Sequence, residues 1–377
     1  MRVEDTIVRF LSRGILDVRL SSEVRGLLEE RLDWAYISEK AEEQGVAGLL
    51  WRNLKDLEWD GIPVEALRRL KISYFRNFVN YTMYVEGLRP VLGGLSSAGI
   101  PVVLLRGPVL VLTVYRDAGL RGFTDVDLWI REEDLPRTEE VLRSAGFSPL
   151  EGYPLLFHRE GLWIDLHLDL IGTTRVHSRR FGVRIDVDAL WEDARPLEIG
   201  GFEVSMLSPW DQVLFLCFHA FKHSFWRLIW TVDIAEAVRA YDKLDWNRLV
   251  RRAEAFGLNR PTYYGLRCAR DLLNAPVPEE VISALKPADQ GHIERRLLDV
   301  ALASLGTDGL SEMLYLFSIP KASQRVRFLW EVVFLRPEVR PQVALRGGFL
   351  FYPKRLFRAG ALALDIARRA FGRAKRG

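Results

Sequence analysis

Cysteine is almost missing from this chain: two residues in 377, Cys217 and Cys268, each set inside an apolar helical pattern. That scarcity excludes a disulfide-built secreted protein and a cysteine-ligated zinc module. Both thiols read instead as small buried apolar residues. No run of 18 or more apolar residues occurs, so no segment reads as a spanning helix. A Gly-Lys dipeptide is absent, and with it the Walker-type phosphate loop; the His-Glu-x-x-His zinc helix is absent too. What is present, 49% hydrophobic and 27% charged residues, is too apolar for disorder and too charged for a membrane bundle. The length suffices for two or three domains with real cores. The opening stretch, residues 1–14, reads as an amphipathic helix carrying acids rather than as a secretory leader.

A net charge of +3 hides an asymmetry. From Arg346 to Gly377 there are nine basic residues against one acid, Asp365, so this tail carries +8 and the preceding 345 residues carry −5. Three readings fit the tail: a solvated basic helix, a membrane-surface contact through Phe349, Leu350, Phe351 and Tyr352, or a nucleic-acid contact. The acidic body argues against a large RNA or DNA substrate. A cytoplasmic location follows, with peripheral attachment at the inner membrane face as the tail's contribution.

The pattern along the chain divides it into a helical region at 1–98, an α/β core at 99–206, a helical lobe at 207–345 and the basic amphipathic tail at 346–377. Apolar residues recur at helical spacing through residues 64–95. The character changes at Ile100, where a β-branched and aliphatic run marks a buried strand. Strand patterns follow at Val126–Ile130, Leu155–His158, Leu162–Leu168, Val183–Val187 and Glu198–Val204, with a helix over Arg131–Ala145 closed by Gly146. That makes a small α/β or α+β unit. Ser208-Pro209 then supplies an N-cap and a first-turn proline, and helical patterns run onward.

One constellation within the core carries chemistry. Asp125 and Asp127 are two apart at a strand start, which aims both carboxylates to one face. Asp165 and His167 share one side of a later apolar strand, where an acid is costly to bury without a neutralising partner. Upstream, Leu105-Arg106-Gly107 is a strand ending in a glycine turn that opens a helix, a form that presents N–H groups to phosphate. Three carboxylates beside such a turn suit two Mg²⁺ ions bridging a triphosphate.

On these residues the stretch from Val102 to Leu168 resembles the nucleotidyltransferase superfamily that includes DNA polymerase beta, and more narrowly its uncharacterised bacterial and archaeal branch. The superfamily's glycine turn is matched by Gly107, its Asp-x-Asp by Asp125 and Asp127, and its third acid by Asp165. The branch is similar in carrying a basic residue before the glycine (Arg106), an arginine four before the first acid (Arg121), and a helical segment with His219, Lys222, His223 and Asp233. The resemblance runs over roughly residues 100–275. It departs at Pro108, which stands where the superfamily often has a second small residue and offers no N–H.

The resemblance implies an α+β fold, a small mixed sheet with flanking helices, extended by helices at both ends. It implies Mg²⁺- or Mn²⁺-dependent transfer of a nucleoside monophosphate from an NTP to a hydroxyl or phosphate acceptor. Asp125, Asp127 and Asp165 would hold metal, with Asp165 also serving as general base. Arg106 and Gly107 would receive the triphosphate, and Arg121 would touch phosphate or hold the Asp loop by an ion pair. His219 and His223, four apart on a helix, fit either a metal pair or a packed face with Trp226, Arg227 and Trp230 that closes the cleft, Lys222 reaching phosphate and His167 lying beside the site. The rival reading is a non-catalytic module that keeps the fold and binds nucleotide or a protein partner, as an antitoxin-like protein would.

Overall fold

Strict alternation in the strand Leu162–His167 sets the architecture: Leu162, Ile164 and Leu166 are buried, while Trp163, Asp165 and His167 stay partly open. A strand patterned this way packs one face on a core and offers the other to something polar. The computed structural model describes residues 2–173, 176–223, 225–303 and 314–333. Its strands are β1 Val103–Leu105, β2 Val126–Trp129, β3 Ser148–Leu150, β4 Tyr153–Arg159, β5 Leu162–His167, β6 Arg195–Ile199 and β7 Phe202–Met206. They form one seven-stranded mixed sheet in the order β3-β4-β5-β2-β1-β7-β6. β2 runs parallel to β5, and β1 lies antiparallel to β2 on its other side. The fold is α+β, a mixed sheet flanked by helices.

Two apolar cores hold the sheet. Leu104, Val126, Leu128, Ile164 and Leu166 face one core, completed by Tyr84, Leu88, Val91, Leu92 and Leu95 of a long helix α5, Val64–Ser97. Val103, Leu105 and Trp129 face the other, which also takes side chains from α1 Val3–Leu11, α2 Val18–Leu28, α3 Trp34–Glu43 and α4 Ala47–Asp56. From the C-terminal side, α9 Pro209–Lys222, α10 Leu228–Ala240, α11 Trp246–Phe256 and α12 Asn259–Leu273 fill the same core. Between the sheet's first strands lie α6 Gly107–Leu110 and α7 Leu135–Ser144.

The N-terminal helices are fastened to the rest by short contacts. A Cβ on Gly48 of α4 would stand 2.1 Å from the Gly119 carbonyl oxygen, so only glycine lets α4 lie on the loop that leads into β2. Gln44 accepts from the Leu228 N–H through its side chain at 2.8 Å, and its carbonyl accepts from the Ile229 N–H at 3.2 Å. Those bonds satisfy the orphan donors at the start of α10.

Turn chemistry accounts for the remaining boundaries. Gly146 closes α7 at φ +85°, and Gly200-Gly201 divides the Glu198–Val204 stretch into the hairpin of β6 and β7. Ser208 caps α9, accepting from the Asp211 N–H with its side chain. The expected strand at Val183–Val187 is not one: residues 183–186 are irregular and α8, Val187–Glu192, follows. Asp186 caps that helix, accepting from the Ala189 N–H at 3.1 Å, and a local cap outweighs β-branched propensity where no neighbouring strand offers a ladder. No described helix is long and apolar enough to cross a membrane. The basic tail lies outside the described residues.

Candidate active site

Parallel pairing of β2 with β5 places Asp127 opposite Asp165 and Trp129 opposite His167. Four side chains from two strands thereby stand on one face, the face turned toward the helical lobe. Trp129 goes under Trp191, with ring centroids 4.8 Å apart. The other three remain together: Asp127, Asp165 and His167 bring ligand atoms within 4.8 Å of one another, the only such group among the described residues. The His167 Nε2 lies 2.7 Å from the Asp127 Oδ1 and 3.7 Å from the Asp165 Oδ2. Asp125, just before β2, is not part of that group. Burial, followed by the charges of Asp127 and Asp165, raises its pKa above the usual carboxylate range, Arg106 opposing.

The glycine turn reaches the same point. Arg106 has φ +47° and ψ −114°, a conformation that costs a non-glycine residue on the order of 1–3 kcal/mol. From there its Nε donates to the Asp127 Oδ2 at 3.0 Å and its Nη2 donates to Oδ1. Its Nη1 donates to the His219 Nδ1. Gly107 follows as the first residue of α6, and a Cβ there would press on the Phe123 ring at 3.0 Å. Pro108 occupies the first turn of α6, where a missing N–H breaks no helical bond.

Electrostatics separates these groups. Burial would push the Asp127 carboxyl up, but Arg106 and His167 together hold it well below the usual range. His219, half-buried beside Arg106, is pushed well below the ordinary imidazole value by burial first and by that guanidinium second. A neutral His219 with an open Nδ1 is what the Arg106 donor needs. His219, His223 and Trp230 form an aromatic cluster with centroids 4.7–5.2 Å apart.

Arg121 borders the cleft but its charge is spent: Nε and Nη2 donate to Asp233 of α10 at 3.2 and 2.8 Å, and the Tyr115 hydroxyl donates to the same carboxylate at 2.7 Å. Lys222 lines the cleft near the Gly172 turn, where Asp169 gathers the N–H groups of Ile171 and Thr173 at 2.8 and 3.1 Å. The whole forms one cleft of about 820 Å³ that contains Arg106, Gly107, Arg121, Asp125, Asp127, Asp165, His167, His219, Lys222 and His223. Arg76, Asn77 and Asn80 of α5 line it as well, a contribution that the spacing of apolar residues gave no sign of.

A fold of this kind with acids, a histidine and a phosphate-type turn in one cleft defines a class, the nucleotidyltransferase-like α+β proteins. The family model described as "Uncharacterised nucleotidyltransferase" matches residues 30–274. The chain belongs to that family. No curated protein matches the chain, and no solved structure does.

Proposed function

We propose that this protein transfers a nucleoside monophosphate from an NTP to a hydroxyl or phosphate acceptor, with release of pyrophosphate. The observation that carries the reading is the parallel register that sets Asp127 against Asp165 on the open side of the sheet, inside the family's domain. Two carboxylates and an imidazole within 4.8 Å suit a small divalent cation, with Asp125 near enough to interact with both acids. Asp127 and Asp165, assisted by Asp125, would hold Mg²⁺ or Mn²⁺. When bound, the ion supplies positive charge to the triphosphate and to the developing oxyanion.

The chain's own residues account for the rest. An acceptor oxygen bonds to the α-phosphorus as the α–β bridging bond breaks, and pyrophosphate leaves. Asp165 takes the proton from an acceptor hydroxyl. Arg106 exchanges the Asp127 carboxylate for a phosphate oxygen, a guanidinium suiting either partner. Lys222 adds a point charge on the same wall.

Asp125→Ala and Asp165→Ala are each expected to lower Mg²⁺-dependent pyrophosphate release from NTP by on the order of a thousandfold. Turnover unchanged in both variants would sink the reading. Pro108 favours a second reading, a binding module without turnover, because it removes one N–H from the turn. Calorimetry with NTP and Mg²⁺ beside the release assay separates them: binding without release selects the module.

A further inference from the structure

Two arginines that line the cleft, Arg227 and Arg76, make no ion pair among the described residues. Arg227, at the turn between α9 and α10, is half-buried, its Nε is shielded from solvent without a hydrogen-bond partner, and no described residue stands at ion-pair distance from it. Burial, and then the nearby Arg121, pull its pKa down, with the Asp233 carboxylate opposing. Arg76 of α5, an exposed residue, lines the same cleft, and its polar contact among the described residues is the Ser73 hydroxyl at 3.5 Å. The neighbouring acids are already taken. Glu42 accepts from Arg69 at 2.7 Å and from Ser73 at 2.8 Å, and Asp233 accepts from Arg121 and Tyr115. The first N–H groups of α10 are bound to Gln44. The positive potential here is therefore carried by guanidinium groups and not by a helix end.

Arg227 is the desolvated one of the two, an unfavourable state for a cation without an ion-pair partner, and such a group in a cleft is most simply explained by a ligand that completes it; Arg76 is exposed on the same wall. Two guanidinium forks from two separate elements suit a dianionic phosphate, which each can bind through parallel N–H donors. The elements concerned, α5 and the α9–α10 turn, are not those of the Arg106–Gly107 turn. We propose that Arg227 and Arg76 form a second anion subsite in the cleft, which anchors a phosphate carried by the acceptor. The acceptor part of this proposal rests on the nucleotidyl-transfer reading; the anion site does not.

The test uses the full chain without metal, titrated by calorimetry with inorganic phosphate at low ionic strength. Arg227→Gln is expected to weaken phosphate binding by about tenfold or more. Wild-type affinity in that variant overturns the site. Arg227→Met is expected to unfold thermally no lower than the wild type, because it removes an unpaired half-buried charge; a Tm several degrees lower would make Arg227 structural and overturn the proposal. Repeating the titration with a non-hydrolysable NTP analogue and Mg²⁺ present separates the two sources of phosphate. Unchanged affinity supports the acceptor, and displacement by the analogue gives the subsite to the donor's triphosphate and overturns the acceptor assignment. None of these readouts needs turnover, so a chain that binds phosphate but transfers nothing would defeat only the earlier reading.

Discussion

Asp233 and Asp127 are both buried under an arginine, and the two pairs differ in everything but their chemistry. Asp233 is 1% exposed and meets Arg121 and the Tyr115 hydroxyl between an extended loop and a helix. Both carboxylate oxygens of Asp233 have partners inside the protein, and Asp233 does not line the cleft. Asp127 meets Arg106 and His167 on the floor of an open cleft, with a second carboxylate within reach and an arginine held at positive φ. The first pair ties a loop to the lobe. The second, on the proposed reading, is a set of charges that exchanges partners when a ligand arrives, which a fastening cannot do. An ion pair seen in isolation does not reveal its role; the groups gathered beside it, and access to solvent, do.

Breaking the fastening gives the largest expected effect. Asp233→Asn leaves the Arg121 guanidinium buried and uncompensated, at a cost of about 3–5 kcal/mol in urea unfolding. A change below about 1 kcal/mol would erase the distinction between the pairs.

The exchangeable pair is probed by Arg106→Gly, which suits the left-handed backbone and removes the cation that covers Asp127. Mn²⁺ is expected to bind this variant about tenfold more tightly in the absence of nucleotide, read from the free-ion signal in electron paramagnetic resonance. Equal or weaker binding would place Arg106 with Arg121 as structural.

A third buried aspartate sharpens the comparison with the smallest effect. Asp211 accepts from the Ser208 hydroxyl at 2.6 Å, but Arg252 stands 3.4 Å away and is shared with Asp193. Burial pushes its carboxyl up to about 6, with Ser208 and Arg252 opposing. The folded chain thus keeps a proton that the unfolded chain loses near pH 4, so this group's contribution is full below about pH 4 and lost as pH rises toward 6. Asp211→Asn should flatten that fall, a difference of about 1–2 kcal/mol between pH 4.5 and 7 in thermal unfolding. Parallel pH profiles would show that Arg252 does hold the charge.

Much of the site was legible because it depends on local rules. Period-two alternation puts Asp165 and His167 on one side of a strand, and a strand–glycine–helix junction at Arg106-Gly107 is visible in a few letters. What pairs with what was not. Nothing in a one-dimensional pattern links Arg106 to Asp127, or Arg121 to an aspartate on a helix more than a hundred residues away. α5 was legible as a helix, but helical spacing reports which face is apolar and not that Arg76, Asn77 and Asn80 line the cleft. The Val183–Val187 stretch misled because β-branched residues mark a strand only where a partner strand exists.

Register has a consequence for how such a gene can change length. β2 and β5 are neighbours in space, and β3 and β4 intervene between them in the chain. A codon gained or lost in the turn at Glu151-Gly152 lengthens or shortens a surface connection and leaves Asp127 facing Asp165. The same event within residues 162–165 would turn Asp165 and His167 into the Ile164–Leu166 core and carry leucine and isoleucine to the cleft floor. Insertions and deletions are therefore expected to gather in the hairpin turn and to stop at the first residue of β5.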